Sequence, residues 1–475
     1  MSKNSKLKVA FVHPDMGIGG AEQLVVNLAM LCLKNNWEVE IFTPYFDPNR
    51  SFDQLKDGTI KVTVVGNWFP RRFCGRCQAL LEYIRFFLAS LYLIIFGGSR
   101  DLVIVDQITL SLPLLMFRYK TFFYCHYPDK LLCTERKSCF KRIYRFFIDL
   151  TEELCLIFAG MVVVNSNYTK EVFKNSFPIY NYFRSEPKVL YPCSDFSVFD
   201  LEVNRLDLLN VRGMERLKSL LSISESKSQK TNKDSILNKN EKDKNVEISF
   251  DKNNSKTILN SIEDMDGEID IKSLNNKKII LTLNRYERKK NLGLAADAYN
   301  YLIKSLQKNE NNNLDDYIFI VAGGYDERLQ ENYDVHKDLK EKEYFNTNNV
   351  YFLKSISNKE RCILLKNADV VLYTPKNEHF GIVPCEALYC GAAVIAHKSG
   401  GPIESISSKS VGYLIDSEDP KEWSDVLLQY FSGKPFDKKV LKNYVLEKFS
   451  LERMKKDFLM LISENWPKAK FLKTN

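Results

Sequence analysis

Residues 8–44 read KVAFVHPDMGIGGAEQLVVNLAMLCLKNNWEVEIFTP. The apolar run KVAFVH (8–13) is bounded by Pro14 and reads as a buried strand. Gly17, Gly19 and Gly20 follow. In AEQLVVNLAMLCLKNN (21–36), Leu24, Leu28 and Leu31 recur at helical spacing. VEIFTP (39–44) is a second strand. Strand, glycine turn, helix and strand in that order open a parallel α/β sheet.

The same alternation continues outward. LVIVD (102–106), TFFYC (121–125) and MVVVN (161–165) are further strands separated by helical stretches, so residues 1–200 are expected to form one doubly wound, Rossmann-like domain. Residues 201–275 are rich in Asn, Lys, Ser, Asp and Glu and nearly free of aromatic rings. Such a segment buries too little apolar area to offset the entropy of ordering, so it is expected to be a disordered insertion. Order resumes at KKIILTLN (277–284), and YIFIVAGG (317–324), VYFLKS (350–355), VVLYTP (370–375) and AAVIAH (392–397) continue a second domain over 276–435. Residues 436–475 are expected to form helices packed across both domains. The fold class is therefore α/β, two Rossmann-like domains facing a central cleft at the carboxyl ends of their sheets.

A chain of 475 residues is too long for one core and fits this arrangement. A formal charge of +8 suits anionic phosphates or a membrane surface, and equally a soluble protein of no special basicity. Eleven dispersed cysteines argue for free thiols in a reducing compartment. Cys74 and Cys77 form a lone C-x-x-C with no second pair at a metal spacing. The start, MSKNSKLKVAFVHPDMG, reads as a polar lead into the first strand rather than a signal peptide. The sequon Asn167-Tyr168-Thr169 is expected to stay unmodified. The longest apolar run, FFLASLYLIIF (86–96), is about half of what spans a bilayer. With Arg71, Arg72, Arg76 and Arg85 ahead of it, it fits an interfacial helix or a buried one.

Three segments at strand ends carry chemistry. The first is Gly17 to Glu22, where glycines allow close approach to a ligand and a helix start offers amides to a phosphate. Tight helix packing explains those glycines equally well. No acidic residue closes VEIFTP, which argues against a nicotinamide dinucleotide. The second is Asn284 to Asn291, NRYERKKN, whose cations fit a diphosphate or merely a solvated loop. The third is Glu378 to Glu386, EHFGIVPCE. There the amides of Gly381, Ile382 and Val383 open a helix, and two carboxylates are placed to accept hydrogen bonds from hydroxyls. A helix cap plus a surface glutamate is the plainer alternative.

Together these segments resemble the retaining, GT4-like glycosyltransferases of the GT-B architecture, with Glu378 and Glu386 as the E-x7-E pair. HPDMGIGGAEQLVVNLA, FYCHYPD, LYPCSDFSVFD, NRYERKKNLGLA, VAGGYDER, LYTPKNEHFGIVPCEALY and SGGPIESI resemble the dolichol-pathway mannosyltransferases that add α1,3- and α1,6-linked mannose to N-glycan precursors. The resemblance spans the chain except 201–275. It implies an acceptor-side first domain and a second domain that binds GDP-mannose. Arg285 and Lys290 would bind the donor diphosphate, with Lys289 competing for that role and Gly19 and Gly20 closing over it. Glu386 would take the ribose. Glu378, His379, Phe380 and Gly381 would hold the mannose, and His126 would contact it. The implied mechanism is front-side transfer with retention, no covalent nucleophile, no metal and no other cofactor. Implied partners are the dolichol-linked oligosaccharide, other transferases of that pathway, and the cytosolic face of the endoplasmic reticulum membrane, docked through residues 71–96. Nucleic acid is not among them. An α1,2-mannosyltransferase of the pathway is the alternative. An inactive scaffold would be expected to lack Glu378, Arg285 or Lys290, and a sugar phosphorylase would need a pyridoxal phosphate lysine.

Overall fold

The computed structural model describes residues 6–71, 78–133, 138–221, 270–344 and 347–467. Its first sheet has seven strands: β1 (Lys8–Val12), β2 (Glu38–Thr43), β3 (Lys61–Val64), β4 (Leu102–Asp106), β5 (Thr121–Cys125), β6 (Met161–Val164) and β7 (Lys188–Val189). All pairs are parallel, in the order β3-β2-β1-β4-β5-β6-β7. The order reverses between β1 and β4. At such a reversal the connections leave toward opposite faces and open a crevice beyond the carboxyl ends.

The second sheet has six strands: β8 (Lys278–Leu283), β9 (Tyr317–Gly323), β10 (Val350–Lys354), β11 (Val370–Tyr373), β12 (Ala393–His397) and β13 (Gly412–Ile415), in the order β10-β9-β8-β11-β12-β13. It reverses between β8 and β11. The two-sheet α/β expectation is met. β3, β7 and β13, which the sequence reading passed over, all lie at sheet edges. They are two to four residues long, and each leaves part of its side chains half-solvated where a central strand buries them.

Both faces of the first sheet are buried. Val9, Phe11, Leu102, Ile104, Phe122 and Tyr124 face one core, shared with the helices Gly20–Lys34 and Leu451–Asn465. Ala10, Val12, Val103, Val105, Phe123 and Cys125 alternate with them and face another, covered by the helices Gln78–Phe96 and Cys139–Leu156. Double burial is why these strands read as continuous apolar runs.

The chain divides into two compact units. One comprises Met1–Phe199, Pro375–Ser417 and Pro435–Asn475, the other Asp200–Thr374 and Glu418–Lys434. This differs from the expected boundaries, because residues 375–417 join the first unit. The reason is aromatic packing within that unit. Phe380 meets Tyr191 and Phe449 at 5.7 and 5.4 Å between ring centroids, and Tyr389 stacks on Phe196 at 4.5 Å.

The expected disorder of 201–275 does not hold at its ends. Residues 205–210 form a 3-10 helix closed by an Asn204–Asp207 capping box, and Leu208, Leu209, Val211, Met214, Leu217 and Leu221 are buried. The polar average of the whole segment hid these apolar residues, which recur at helical spacing. Helix Ile271–Asn276 closes the other end, with Asp270 as its cap and Leu274 buried. Residues 222–269 lie outside the described residues, as do Cys74, Cys77, Arg72 and Arg76.

Helix Gln78–Phe96 is 19 residues long, and by length and composition alone it could cross a membrane. Arg85 is not part of a basic surface as expected. It is fully buried, donating to the carbonyl of Pro44 at 2.8 Å and pairing with Glu82 at 3.0 Å. Phe86 is fully buried too; the helix exposes apolar side chains at its amino end, at Leu80, and at its carboxyl end, at Tyr92, Ile95 and Phe96.

Candidate active site

In the first unit, His13 follows β1 and Asp106 ends β4, so both sit where the strand order reverses. Nδ1 of His13 lies 2.8 Å from Oδ2 of Asp106, and its Nε2 lies 3.5 Å from Glu22. Burial alone would hold His13 neutral, but the bonds to Asp106 and Glu22 outweigh it and raise its pKa to about 9. Burial likewise works against the Asp106 carboxylate, but His126 and His13 hold its pKa down at about 2. His126, which follows β5, lies with Nε2 3.1 Å from that carboxylate. An ionised carboxylate only accepts, so Nε2 of His126 carries the hydrogen. The sequence reading selected His126 but missed His13 and Asp106. Their signal was available: each is a polar residue closing an apolar strand, in KVAFVH and LVIVD.

Gly19 caps the helix Gly20–Lys34, and a Cβ there would fall 2.3 Å from the Glu22 carboxylate. Gly20 is exposed with open space beside it.

The Glu378 loop is held from below and from the side. Gly400 has φ +66, and a Cβ on it would lie 2.2 Å from the carbonyl oxygen of Glu378. A Cβ on Gly401 would lie 2.2 Å from Cα of Phe380, and its amide donates to Glu378 O at 2.8 Å. Only glycine permits this approach. The ring of His379 stacks on Tyr127 at 3.8 Å and 9°, and its carbonyl accepts from Ser166 Oγ at 2.6 Å. Asn165 Nδ2 donates to the carbonyl of His126 at 3.0 Å. Adjacent residues of one strand end thus tie the His126 loop and the Glu378 loop together. Ser399, Gly400 and Gly401, which open SGGPIESI, lie against the Glu378 loop: Ser399 Oγ accepts from the amide of Asn377 at 2.8 Å, and the two glycines pack on Glu378 and Phe380. Glu404 of the same motif accepts from the amides of Asn167 and Tyr168 and from Tyr191 Oη, at 2.8–2.9 Å.

Helix Ile382–Tyr389 starts at Gly381, whose φ of +79 turns the chain into it. Ile382 and Val383 lie in its first turn, where amides have no intrahelical acceptor. Glu386 lies within the helix, only 2% exposed, and accepts from Ser194 Oγ at 3.2 Å.

In the second unit, Arg285 follows β8, again beside a strand-order reversal. Arg285 and Lys289 are exposed, and both pair with Glu287, at 2.9 and 3.4 Å. Lys290 is buried, and its carbonyl accepts from Thr374 Oγ1 at 2.9 Å. The two lysines are therefore distinct in environment. Glu287 was missed, although a lone acid inside RYERKK is itself a signal. Gly323, at φ +152, leaves room for the carbonyl of Asn284, which a Cβ would approach to 1.9 Å. The glycine pair of VAGGYDER thereby shapes the turn that presents Arg285.

Residues 266–444 match the family model of glycosyl transferases group 1. The chain is 38% identical over 424 residues to the alpha-1,3/1,6-mannosyltransferase ALG2 of Dictyostelium discoideum, covering 87% of each chain. It is 34% identical to the protein of that name from Homo sapiens, over 94% of this chain and 93% of the other. Among solved structures, sucrose-phosphate synthase from Thermosynechococcus elongatus superposes with a TM-score of 0.64 at 15% identity, over 97% of this chain and 100% of the other. The starch synthase IV catalytic domain from Arabidopsis thaliana gives 0.64 at 14%, over 98% and 100%. These likenesses establish the fold.

Proposed function

We propose, from the fact that this chain belongs to the alpha-1,3/1,6-mannosyltransferases of glycosyl transferases group 1, that its donor is GDP-mannose and its acceptor a dolichol-diphosphate-linked Man-GlcNAc2. Mannosyl transfer is the activity of the family. The linkages in the relatives' names do not favour the α1,2 alternative. The tie between the His126 and Glu378 loops is the observation that supports the site assignment.

Glu378, an acceptor for several hydroxyls, holds the mannose, and His126 contacts it. Arg285 and Lys290 counter the charge that grows on the leaving diphosphate, and Lys289 adds to that field. Glu386 binds the ribose, which requires it to exchange its bond from Ser194. The amides of Phe380, Gly381, Ile382 and Val383 face donor oxygens, and Gly19 and Gly20 close over the diphosphate. Transfer proceeds with retention by front-side attack, with positioning and charge stabilisation as the enzyme's share. The step needs no metal, and full activity is expected in excess chelator.

The proposed location is the cytosolic face of the endoplasmic reticulum membrane, where other dolichol-pathway transferases would be neighbours. All nine described cysteines are free thiols, which supports a reducing compartment. The test is incubation with GDP-mannose and lipid-linked Man-GlcNAc2, beside Glu378→Ala. Two mannoses added by the native chain and none by the variant are expected. Transfer from another nucleotide sugar, or undiminished transfer by the variant, would overturn the assignment.

A further inference from the structure

Helix Cys139–Leu156 has two apolar stripes. One, with Ile148, Cys155 and Leu156, is buried on the first sheet. The other faces out: Phe140 is 86% exposed, Ile143 54%, Phe146 60% and Phe147 62%. Four adjoining exposed large apolar side chains are more than a monomer scatters singly. The polar residues of this helix are sorted as well. Asp149 pairs with the buried Arg145 at 3.0 Å. Glu152 accepts from the amides of Asp129 and Lys130, and Glu153 from that of Ile179 at 2.6 Å. All three carboxylates are thus drawn inward, while Lys141 and Arg142 stay exposed beside the phenylalanines.

Exposed rings flanked by cations, with every acid of the helix withdrawn, is the chemistry of a helix lying in the interface of an anionic bilayer. The helix is linked to Gln78–Phe96 by the Leu80 amide, which donates to Tyr144 Oη at 2.8 Å. We propose that the outward stripe of Cys139–Leu156 seats the first unit on an anionic lipid surface, with the exposed carboxyl end of Gln78–Phe96 as an accessory contact. This deepens the membrane-bound acceptor reading, on which it rests for its purpose, and moves the docking face from residues 71–96 to a different helix.

The test is flotation of the full chain with vesicles of phosphatidylcholine, with and without phosphatidylserine. Phe140→Ser/Phe147→Ser is expected to lower vesicle binding about tenfold without shifting the melting temperature, since both rings are exposed. Lys141→Glu/Arg142→Glu is expected to remove the preference for phosphatidylserine. Ile95→Ser/Phe96→Ser is expected to cost less than the Phe140/Phe147 pair. Native flotation by Phe140→Ser/Phe147→Ser would overturn the proposal. So would conversion of a native dimer to a monomer by that pair with flotation intact, which would make the stripe a contact between copies. Mannose transfer to a short-chain, water-soluble acceptor is read in parallel. Its absence from the native chain, with flotation as expected, would remove the acceptor reading and leave the docking face standing.

Discussion

Asp106 holds His13 by a 2.8 Å bond in which neither side chain is exposed by more than 2%. The pKa of His13 is raised from 6.5 to about 9, so the folded state binds that proton more tightly than the unfolded chain. The bond's contribution is present in full below about pH 6.5 and is lost as the pH rises through about 9. Asp106, lowered to about 2, has the opposite dependence: its contribution is present above its ordinary value of 3.8 and is lost as the pH falls through about 2. Melting temperature is expected to decline from neutral pH toward pH 9, and His13→Gln to flatten that slope. An unchanged slope in the variant would place the titrating group elsewhere.

The basic loop separates into members with different partners. Among the described residues Arg285 pairs locally with Glu287, whereas Arg288 points to Asp334 and Asp338 at 4.0 and 3.6 Å. Arg285→Ala is expected to lower kcat by about 10²-fold, the cost of removing a donor to developing charge. Arg288→Ala should stay within a few fold. Steady-state kinetics on the purified variants decides it, and equal losses would reduce the loop to a general electrostatic field.

Gly401→Ala puts a methyl group into the backbone of Phe380. Displacing that loop is expected to destabilise the protein by about 1–3 kcal/mol. It should also lower kcat/KM far more than the stability change explains, because Glu378 moves with the loop. Calorimetry paired with kinetics separates the two effects.

Ser166 both caps the helix Asn167–Ser176, accepting from the Thr169 amide, and donates to His379 O. Ser166→Ala is expected to cost about 1 kcal/mol for the cap and to raise KM for the donor. Ser166→Thr keeps the hydroxyl and should restore KM. Failure of threonine to do so would show that the hydroxyl bond to His379 does not set KM.

The central strands and the three strand-end segments were legible because apolar runs ending in Gly, His or Arg survive any context. What was not legible depended on long-range contacts. Nothing in SGGPIESI shows that its glycines press on Glu378 and Phe380, some twenty residues back. Arg85 looked like surface charge because its acceptors, the carbonyls of Pro44 and Gly66, are backbone atoms from another part of the chain. The buried leucines of 205–221 were diluted by a long polar neighbour. The two lysines of RYERKK read alike, yet packing exposes Lys289 and buries Lys290.

The side-chain amide of Asn167 spends both its hydrogens, one on Tyr191 Oη at 2.9 Å and one on Glu404 at 2.8 Å. A sugar attached to that nitrogen would replace one of them and wedge the Glu404 clamp apart, one residue from the serine that steadies His379. The sequon at Asn167 is therefore usable as a topological reporter. A chain folded in a compartment that glycosylates it would carry a glycan exactly where its own site must stay closed, so an unmodified Asn167 and an intact site are expected to occur together.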